Sequence, residues 1–139
     1  MTEWVENVVS KWKTEGVKIN EGASLADVEA LELFLDFKFP ADFKDFYLAM
    51  NGFKSLDWQE HMFHFWSLEM IIEEFNDSKE KDFIGFCDFF LSSNFIGFSK
   101  CKAGVYKVYP SIHDAEMELI ATTFEEVVGM INSNTGLIY

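Results

Sequence analysis

The feature that most constrains this chain is Pro40, which stands between two segments with the spacing of amphipathic helices. A proline has no backbone N–H to donate and its ring fixes φ, so it suits the first turn of a helix. Behind it, four apolar side chains recur at i, i+3, i+4 and i+7, which gives one apolar helix face. These are Phe43, Phe46, Tyr47 and Met50. The sequence therefore predicts a helix from Pro40 to Gly52 with these four side chains buried.

The order of the predicted elements is typical of an α+β protein. An apolar stripe predicts an opening helix that ends at Gly16. Ser24 and Asp27 are expected to cap the start of a second helix, and Asn51-Gly52 is expected to close the third. Ser67 and Thr123 are the caps expected for two later helices. The predicted strands span Met62 to Trp66, Phe83 to Phe90, a hairpin from Phe95 to Tyr109 that turns at Lys102 to Gly104, and Met117 to Ala121.

Because runs of strands follow a cluster of helices, we expect an α+β fold with a mainly antiparallel β-sheet and helices packed on one face. A chain of 139 residues, 49% hydrophobic, is long enough for a single core, so we expect one domain over residues 1–139. The amino terminus lacks the pattern of a signal peptide, and no apolar run approaches the ~20 residues of a membrane span. Cys87 and Cys101 fit neither a disulfide scaffold nor a CxxC pair. We therefore expect a cytoplasmic protein.

Aromatic residues are dense in the predicted strands. The chain has 16 Phe, and the six between residues 83 and 98 are too close together for all of them to point inward from alternating strands. One interpretation is a thick core between sheet and helices. The other is a concave aromatic face that receives a partner, because aromatic side chains are favoured at interface hot spots.

Charge is the second strong signal. The chain has 24 acidic residues and 11 basic ones, all lysine, for a net charge of −13. Direct binding of DNA or RNA is disfavoured, because a nucleic-acid binder needs a basic face and usually arginine. Residues 57–88 hold nine acids and two lysines, whereas residues 89–107 hold three lysines and no acid. The acidic excess serves solubility, or it steers a basic protein partner into contact.

Motifs for catalysis are absent from the sequence. It has no Walker loop, no GxGxxG and no HExxH. His61 and His64 lie in a predicted strand, where positions three apart face opposite sides, and this spacing disfavours a shared metal. The pairs Glu73-Glu74 and Glu125-Glu126 are adjacent on predicted helices and are interpreted as solvated surface. We therefore expect a protein that is not an enzyme and has no metal and no cofactor.

Several of these segments together resemble the SMI1/KNR4 family, also called the SUKH superfamily. Its hallmark is a Glu eight residues before a Leu-Pro and then an acidic-aromatic helix that ends in Asn-Gly. The matching positions here are Glu32, Phe39-Pro40, Asp42-Phe43, Asn51-Gly52, Trp66 to Glu69, Gly104 to Tyr106 and Ala121 to Glu126. The resemblance covers roughly residues 20 to 132. Asp36 stands where the family usually has glycine, and Lys102-Ala103 replaces an acidic residue often found beside the hairpin glycine.

This resemblance implies a binding protein, because many bacterial members are immunity proteins that neutralise a toxin by binding it. Other members act as regulatory or scaffolding modules, and an enzyme or small-ligand binder is the third class left open. The acidic excess fits the first role, with a basic partner such as a cognate toxin that targets nucleic acid, and with no nucleic acid and no membrane as partner. The candidate contacts are Asp57, Glu60, Asp77, Glu80, Asp82 and Asp88. Glu69, Glu73 and Glu74 are expected on the outer face of the short helix.

Overall fold

Helices and strands alternate in groups along the chain. The structure, a computed structural model, describes residues 2–54, 57–79, 81–90, 94–109 and 117–133. The helices in these ranges are α1 (Glu3–Thr14), α2 (Leu25–Leu35), α3 (Ala41–Ala49), α4 (Leu68–Asp77) and α5 (Phe124–Ser133). The strands are β1 (Ile19–Glu21), β2 (Met50–Phe53), β3 (Phe63–Phe65), β4 (Phe83–Phe89), β5 (Asn94–Ser99), β6 (Val105–Val108) and β7 (Glu118–Ala121).

The strands form two antiparallel sheets. Strands β3 to β7 make a five-stranded sheet in chain order, and β1 pairs with β2. The predicted hairpin is β5 and β6, in which Phe98 lies opposite Val105. A β-bulge lies between Gly85 and Cys87 in β4. The predicted α+β fold with a mainly antiparallel sheet is therefore confirmed.

The predicted helix caps are present. The Ser24 hydroxyl accepts the Asp27 N–H at 3.1 Å, and the Asp27 carboxylate in turn accepts the Ser24 N–H at 3.5 Å. The Ser67 hydroxyl accepts the Met70 N–H at 3.2 Å at the start of α4. These bonds satisfy N–H groups that have no partner within the helix. The sequence therefore predicted where α2 and α4 begin.

The predicted end of α3 is wrong. The helix stops at Ala49, and the Met50 backbone is already extended, so Asn51 and Gly52 lie in β2 instead of closing the helix. The chain leaves the helix early because β2 pairs with β1, a three-residue strand that the sequence pattern did not predict. Gly52 has φ +76°, and a Cβ there would lie 2.5 Å from the Trp66 carbonyl oxygen. Glycine is therefore needed for this close approach.

Asp36 occupies the position where the family usually has glycine. It follows the last residue of α2 with φ 53° and ψ 51°, which is the left-handed conformation. Aspartate and asparagine tolerate this region better than other side chains do. The departure from the family pattern therefore preserves the backbone geometry that ends α2.

The core is centred on α3. The four side chains predicted for its apolar face, Phe43, Phe46, Tyr47 and Met50, are 0% exposed, as predicted, although Met50 lies in β2 and not on the helix. The Phe46 ring lies 5.6 Å from the Trp12 ring of α1 and 5.2 Å from the Phe124 ring of α5, centroid to centroid. It also lies 5.8 Å from Phe65 of β3. One side chain thus packs two other helices and the large sheet together.

The phenylalanines between residues 83 and 98 divide by position. Phe83, Phe86 and Phe98 are buried, and Phe86 and Phe98 belong to the hydrophobic core, so the core interpretation is confirmed for these two. Phe90 is exposed and has a positive φ of 45° at the end of β4. The two that are half-buried are Phe89 and Phe95, and the Phe95 ring packs edge-on against Trp66.

Glu32, the acid of the family hallmark, is buried and has a structural role. One of its carboxylate oxygens accepts the Phe39 N–H at 2.7 Å and lies 3.2 Å from the Lys44 ammonium. The first contact fixes the residue before Pro40 against α2, and the second joins α2 to α3. The carboxylate therefore links α2 both to the α2–α3 connection and to α3.

Replacing Phe46 by Ala should lower the free energy of unfolding by about 3–5 kcal/mol, because a fully buried ring is lost and a cavity remains. Chemical denaturation measures this change. Leu33→Ala is the control, because Leu33 is a large apolar side chain of α2 that is 81% exposed, and it should change stability by less than about 0.5 kcal/mol. An equal effect of the two substitutions would contradict the assignment of α3 to the core.

Glu32→Ala should destabilise the protein by about 2–3 kcal/mol, because the buried Phe39 N–H loses a charged acceptor. Glu32→Gln keeps an oxygen for that N–H and should lose less. Lys44→Met should also destabilise the protein, because it leaves the buried Glu32 carboxylate without its cation, but by less than Glu32→Ala, because the Phe39 N–H keeps its acceptor and Lys44 is itself partly exposed. The order of the three denaturation midpoints tests this account, and a Lys44 variant less stable than the Glu32→Ala variant would contradict it.

Candidate functional site

The outer face of α4 carries three carboxylates in a row. Glu69, Glu73 and Asp77 are exposed and four residues apart, so they lie on one side of the helix, whereas Leu68 and Ile71 on the inner side are buried. We call these three residues the acidic stripe. None of them forms an ion pair with a lysine or histidine in the part of the chain that the structure describes.

The start of α4 is held by hydrogen bonds from the core. The Tyr47 hydroxyl of α3 donates to the Trp66 carbonyl at 2.6 Å, and the Trp66 indole N–H donates to the Asp88 carboxylate at 2.7 Å. Asn51 accepts the Leu68 N–H at 2.8 Å, and its amide lies 3.5 Å from the Glu69 carboxylate. These hydrogen bonds therefore fix the position of Glu69, the first residue of the acidic stripe, relative to the core.

A shallow depression of about 280 Å³ lies beside the acidic stripe. Glu69 and Glu73 form part of its wall, so two of the three carboxylates border a concave surface. The other lining residues are Asn20, Phe53, Lys54, His64, Ser67 and Met70. A projecting side chain of a partner can enter such a surface while its cationic group meets the carboxylates.

Negative charge is concentrated around α4. Partial burial raises the pKa of Glu74, and the nearby charges of Asp77, Asp88 and Glu73 raise it further, in that order. A carboxyl group responds in this way when neighbouring carboxylates oppose its ionisation. The surface around α4 therefore has a negative electrostatic potential, which favours cations over anions.

The structure does not bring all the predicted contact residues together. Asp77 belongs to the acidic stripe, and Asp82 is exposed before β4. Asp57 instead accepts backbone N–H groups of Lys18 and Trp58. Glu60 is exposed and lies 3.2 Å from the Lys11 ammonium, so its charge is engaged with α1. Glu80 lies outside the described residues.

Asp88 does not belong to an accessible acidic surface. It is only 6% exposed, and its carboxylate accepts the Trp66 indole N–H. It was predicted as a contact because it is one of the acids of residues 57–88. Its burial was not evident from the sequence, because every residue of β4 up to Asp88 is buried and no alternation marks its orientation. Its burial makes it a support for Trp66 and α4.

The described residues hold no metal cluster, and the buried Cys87 thiol is not activated. In these ranges no group of three or more His, Cys, Asp or Glu residues is arranged to hold a metal ion. Burial, and then the Asp88 charge, raise the pKa of the Cys87 thiol, which keeps it protonated. Burial likewise raises the pKa of Tyr47. Among the described helices, none has the length and apolar character to cross a membrane.

Glu74→Gln should stabilise the protein at pH 7 and have little effect near about pH 3.5. Because the folded pKa of Glu74 is raised, the folded protein keeps this proton where the unfolded chain has lost it. The contribution of Glu74 to stability is therefore fully present below the unfolded pKa of about 4.3 and is lost as the pH rises through the folded pKa. Urea denaturation at both pH values measures the difference, with exposed Glu21→Gln as control. A Glu74→Gln variant that gains as much at low pH as at pH 7 would contradict the assigned repulsion.

The comparison with known proteins identifies the fold family. The sequence pattern of the SMI1 / KNR4 family (SUKH-1) matches residues 22–129 of this chain. The matched residues include Glu32, helix α3 with its buried side chains, and helix α4 with the acidic stripe. No curated protein matches the chain individually. With the pattern matching most of its length, this chain belongs to the SMI1/KNR4 (SUKH-1) family.

Proposed function

We propose that this chain is a protein-binding domain that acts as an immunity protein, and that it neutralises a toxin by covering the toxin's basic surface. The observation that carries the proposal is the acidic stripe, a row of exposed carboxylates on a helix anchored to the core. Membership in a family that includes toxin immunity proteins supports it. A toxin that acts on nucleic acid needs a basic surface for its substrate, and such a surface is complementary to this one.

The charges of the acidic stripe are free to act outside the molecule. Asp57 and Glu60 already have partners on or near α1. Glu69, Glu73 and Asp77 form no ion pair within the described residues, so binding a cationic partner breaks no internal salt bridge. Glu69 and Glu73 also border the depression beside α4, and we propose that a lysine or arginine side chain of the partner enters it on their side.

Exposed carboxylates of this kind mainly accelerate association. Charges at the rim of an interface steer the encounter of two proteins, whereas buried contacts determine how slowly the complex dissociates. Fast capture suits an immunity protein, because the toxin must be bound before it acts. A regulatory or scaffolding module would differ from an immunity protein in its effect on the partner, because the partner stays active when it is bound.

Neutralising the acidic stripe should slow association with the protein encoded beside this chain's gene. The variant is Glu69→Gln, Glu73→Gln and Asp77→Asn, and the control with the same change in net charge is Glu6→Gln, Glu21→Gln and Glu29→Gln, all exposed residues elsewhere. Stopped-flow kinetics should show an association rate about tenfold lower for the stripe variant, with a much smaller change for the control and in dissociation. The wild-type rate should also fall as salt shortens the screening length from about 10 Å at 0.1 M to about 3 Å at 1 M.

An association rate that is equal for the two variants, or indifferent to salt, would remove the acidic stripe from the interface. An assay of the partner's toxic activity at equimolar ratio separates the two functional classes. Loss of activity supports an immunity protein, and a complex in which the partner remains fully active would contradict that role and favour a scaffolding module.

A further inference from the structure

Three lysines gather around a cleft on a protein that is otherwise strongly acidic. The cleft has a volume of about 420 Å³ and is enclosed by the α2–α3 connection, the tip of the β5–β6 hairpin and the start of α5. Lys38 lines it from the first of these segments, and Lys100 and Lys102 line it from the second. These are segments far apart in the sequence that the fold brings to one place.

The wall of the cleft between the lysines is aromatic and continuous with the core. Phe37, Phe98 and Phe124 all line it. The Phe37 ring is half-buried and lies 5.7 Å from the Phe98 ring, which in turn lies 6.4 Å from the Phe124 ring. Phe98 and Phe124 are only 3% and 0% exposed, so the half-buried Phe37 supplies the accessible aromatic surface and the other two rings pack behind it.

Within the described residues, the charge of these lysines is not balanced by a carboxylate partner. None of the three ammonium groups forms an ion pair with a residue in the described ranges, whereas Lys44 and Lys107 are each paired with a glutamate. Asp42 is the carboxylate that lines the cleft, and its oxygens accept the Phe43 and Glu125 N–H groups, each at 2.9 Å. The cleft thus presents more positive than negative charge.

We propose that this cleft is a second docking site, which binds an acidic segment of a partner protein with an apolar side chain between its carboxylates. The apolar side chain packs on the aromatic wall, and the carboxylates on either side meet Lys38 and the hairpin lysines. The charge complementarity is opposite to that of the acidic stripe. The same molecule therefore has two surfaces that select different chemistry, and the proposal holds whether or not the partner of the stripe is a toxin.

A peptide fits these features better than a nucleic acid does. The chain has no arginine for bidentate phosphate contacts, and its net charge of −13 repels an extended polyanion outside the cleft. A short acidic segment experiences mainly the local lysines, because exposed charges farther away than about 10 Å are largely screened at 0.1 M salt. Apolar contact then supplies the part of the binding energy that charge alone does not.

The test is a titration of the nitrogen-15-labelled full chain, followed by amide NMR, with a synthetic peptide that has one Phe between two pairs of acidic residues. At millimolar peptide, we expect shift changes confined to amides around Lys38, residues 98–105 and residues 122–124. A peptide with Asn and Gln in place of the acids should give no saturable change, and one with Ser in place of Phe should bind more weakly. The absence of saturable shifts with the acidic peptide would overturn the proposal.

Matched variants separate the cleft from general charge effects. Lys38→Gln, Lys100→Gln and Lys102→Gln together should weaken peptide binding about tenfold. The control Lys13→Gln, Lys18→Gln and Lys79→Gln changes the net charge equally at exposed positions elsewhere and should weaken it less than about twofold. Equal weakening by both variants would overturn the proposal. Stronger saturable shifts of the same amides with a short single-stranded oligonucleotide would assign the cleft to nucleic acid instead, and shifts on dilution of the free protein would assign it to a second copy of the chain.

Discussion

A buried chain of hydrogen bonds through Trp66 fixes the position of helix α4 and its acidic stripe relative to the core. Tyr47 of α3 donates to the Trp66 carbonyl, and the Trp66 indole donates to Asp88 of β4. Leaving any one of these buried polar groups without its partner costs about 1–3 kcal/mol. The backbone also closes around Trp66, since a Cβ on Gly52 would lie 2.5 Å from its carbonyl and one on Gly85 would lie 2.8 Å from its ring. Helix α4 begins at Leu68, two residues after Trp66, so these contacts fix the position of its first turn.

Acidic residues in this protein divide into two physical roles. Glu32 and Asp88 are buried, and each accepts a hydrogen bond that joins elements of the fold. The acidic stripe is exposed and has no ion pair among the described residues, so its charge acts on the surroundings. The buried carboxylates help to fix the geometry of the fold, and the exposed ones produce a negative electrostatic potential at the surface. The net charge alone does not distinguish these roles, because both kinds of residue count equally in it.

The helix caps, the apolar face of α3 and the antiparallel sheet were predictable from the sequence, whereas features that depend on particular tertiary contacts were not. The caps Ser24 and Ser67 and the apolar face of α3 are short-range patterns, and the structure has them as predicted. Strand β1 has only three residues and depends on pairing with β2, so no periodicity marks it. The burial of Asp88 could not be predicted, because the residues of β4 up to Asp88 are buried without alternation. The approach of Lys38 to the hairpin lysines is a tertiary event that no local pattern encodes.

The central claim is that the carboxylates of the acidic stripe contact a cationic partner. Zero-length carbodiimide cross-linking of the complex, followed by mass spectrometry, tests it most directly, because the reagent joins only carboxylates and lysines in contact. The account predicts cross-links from Glu69, Glu73 or Asp77 to lysines of the partner. Cross-links to the partner from Glu6, Glu21 or Glu29, with none from the acidic stripe, would contradict it.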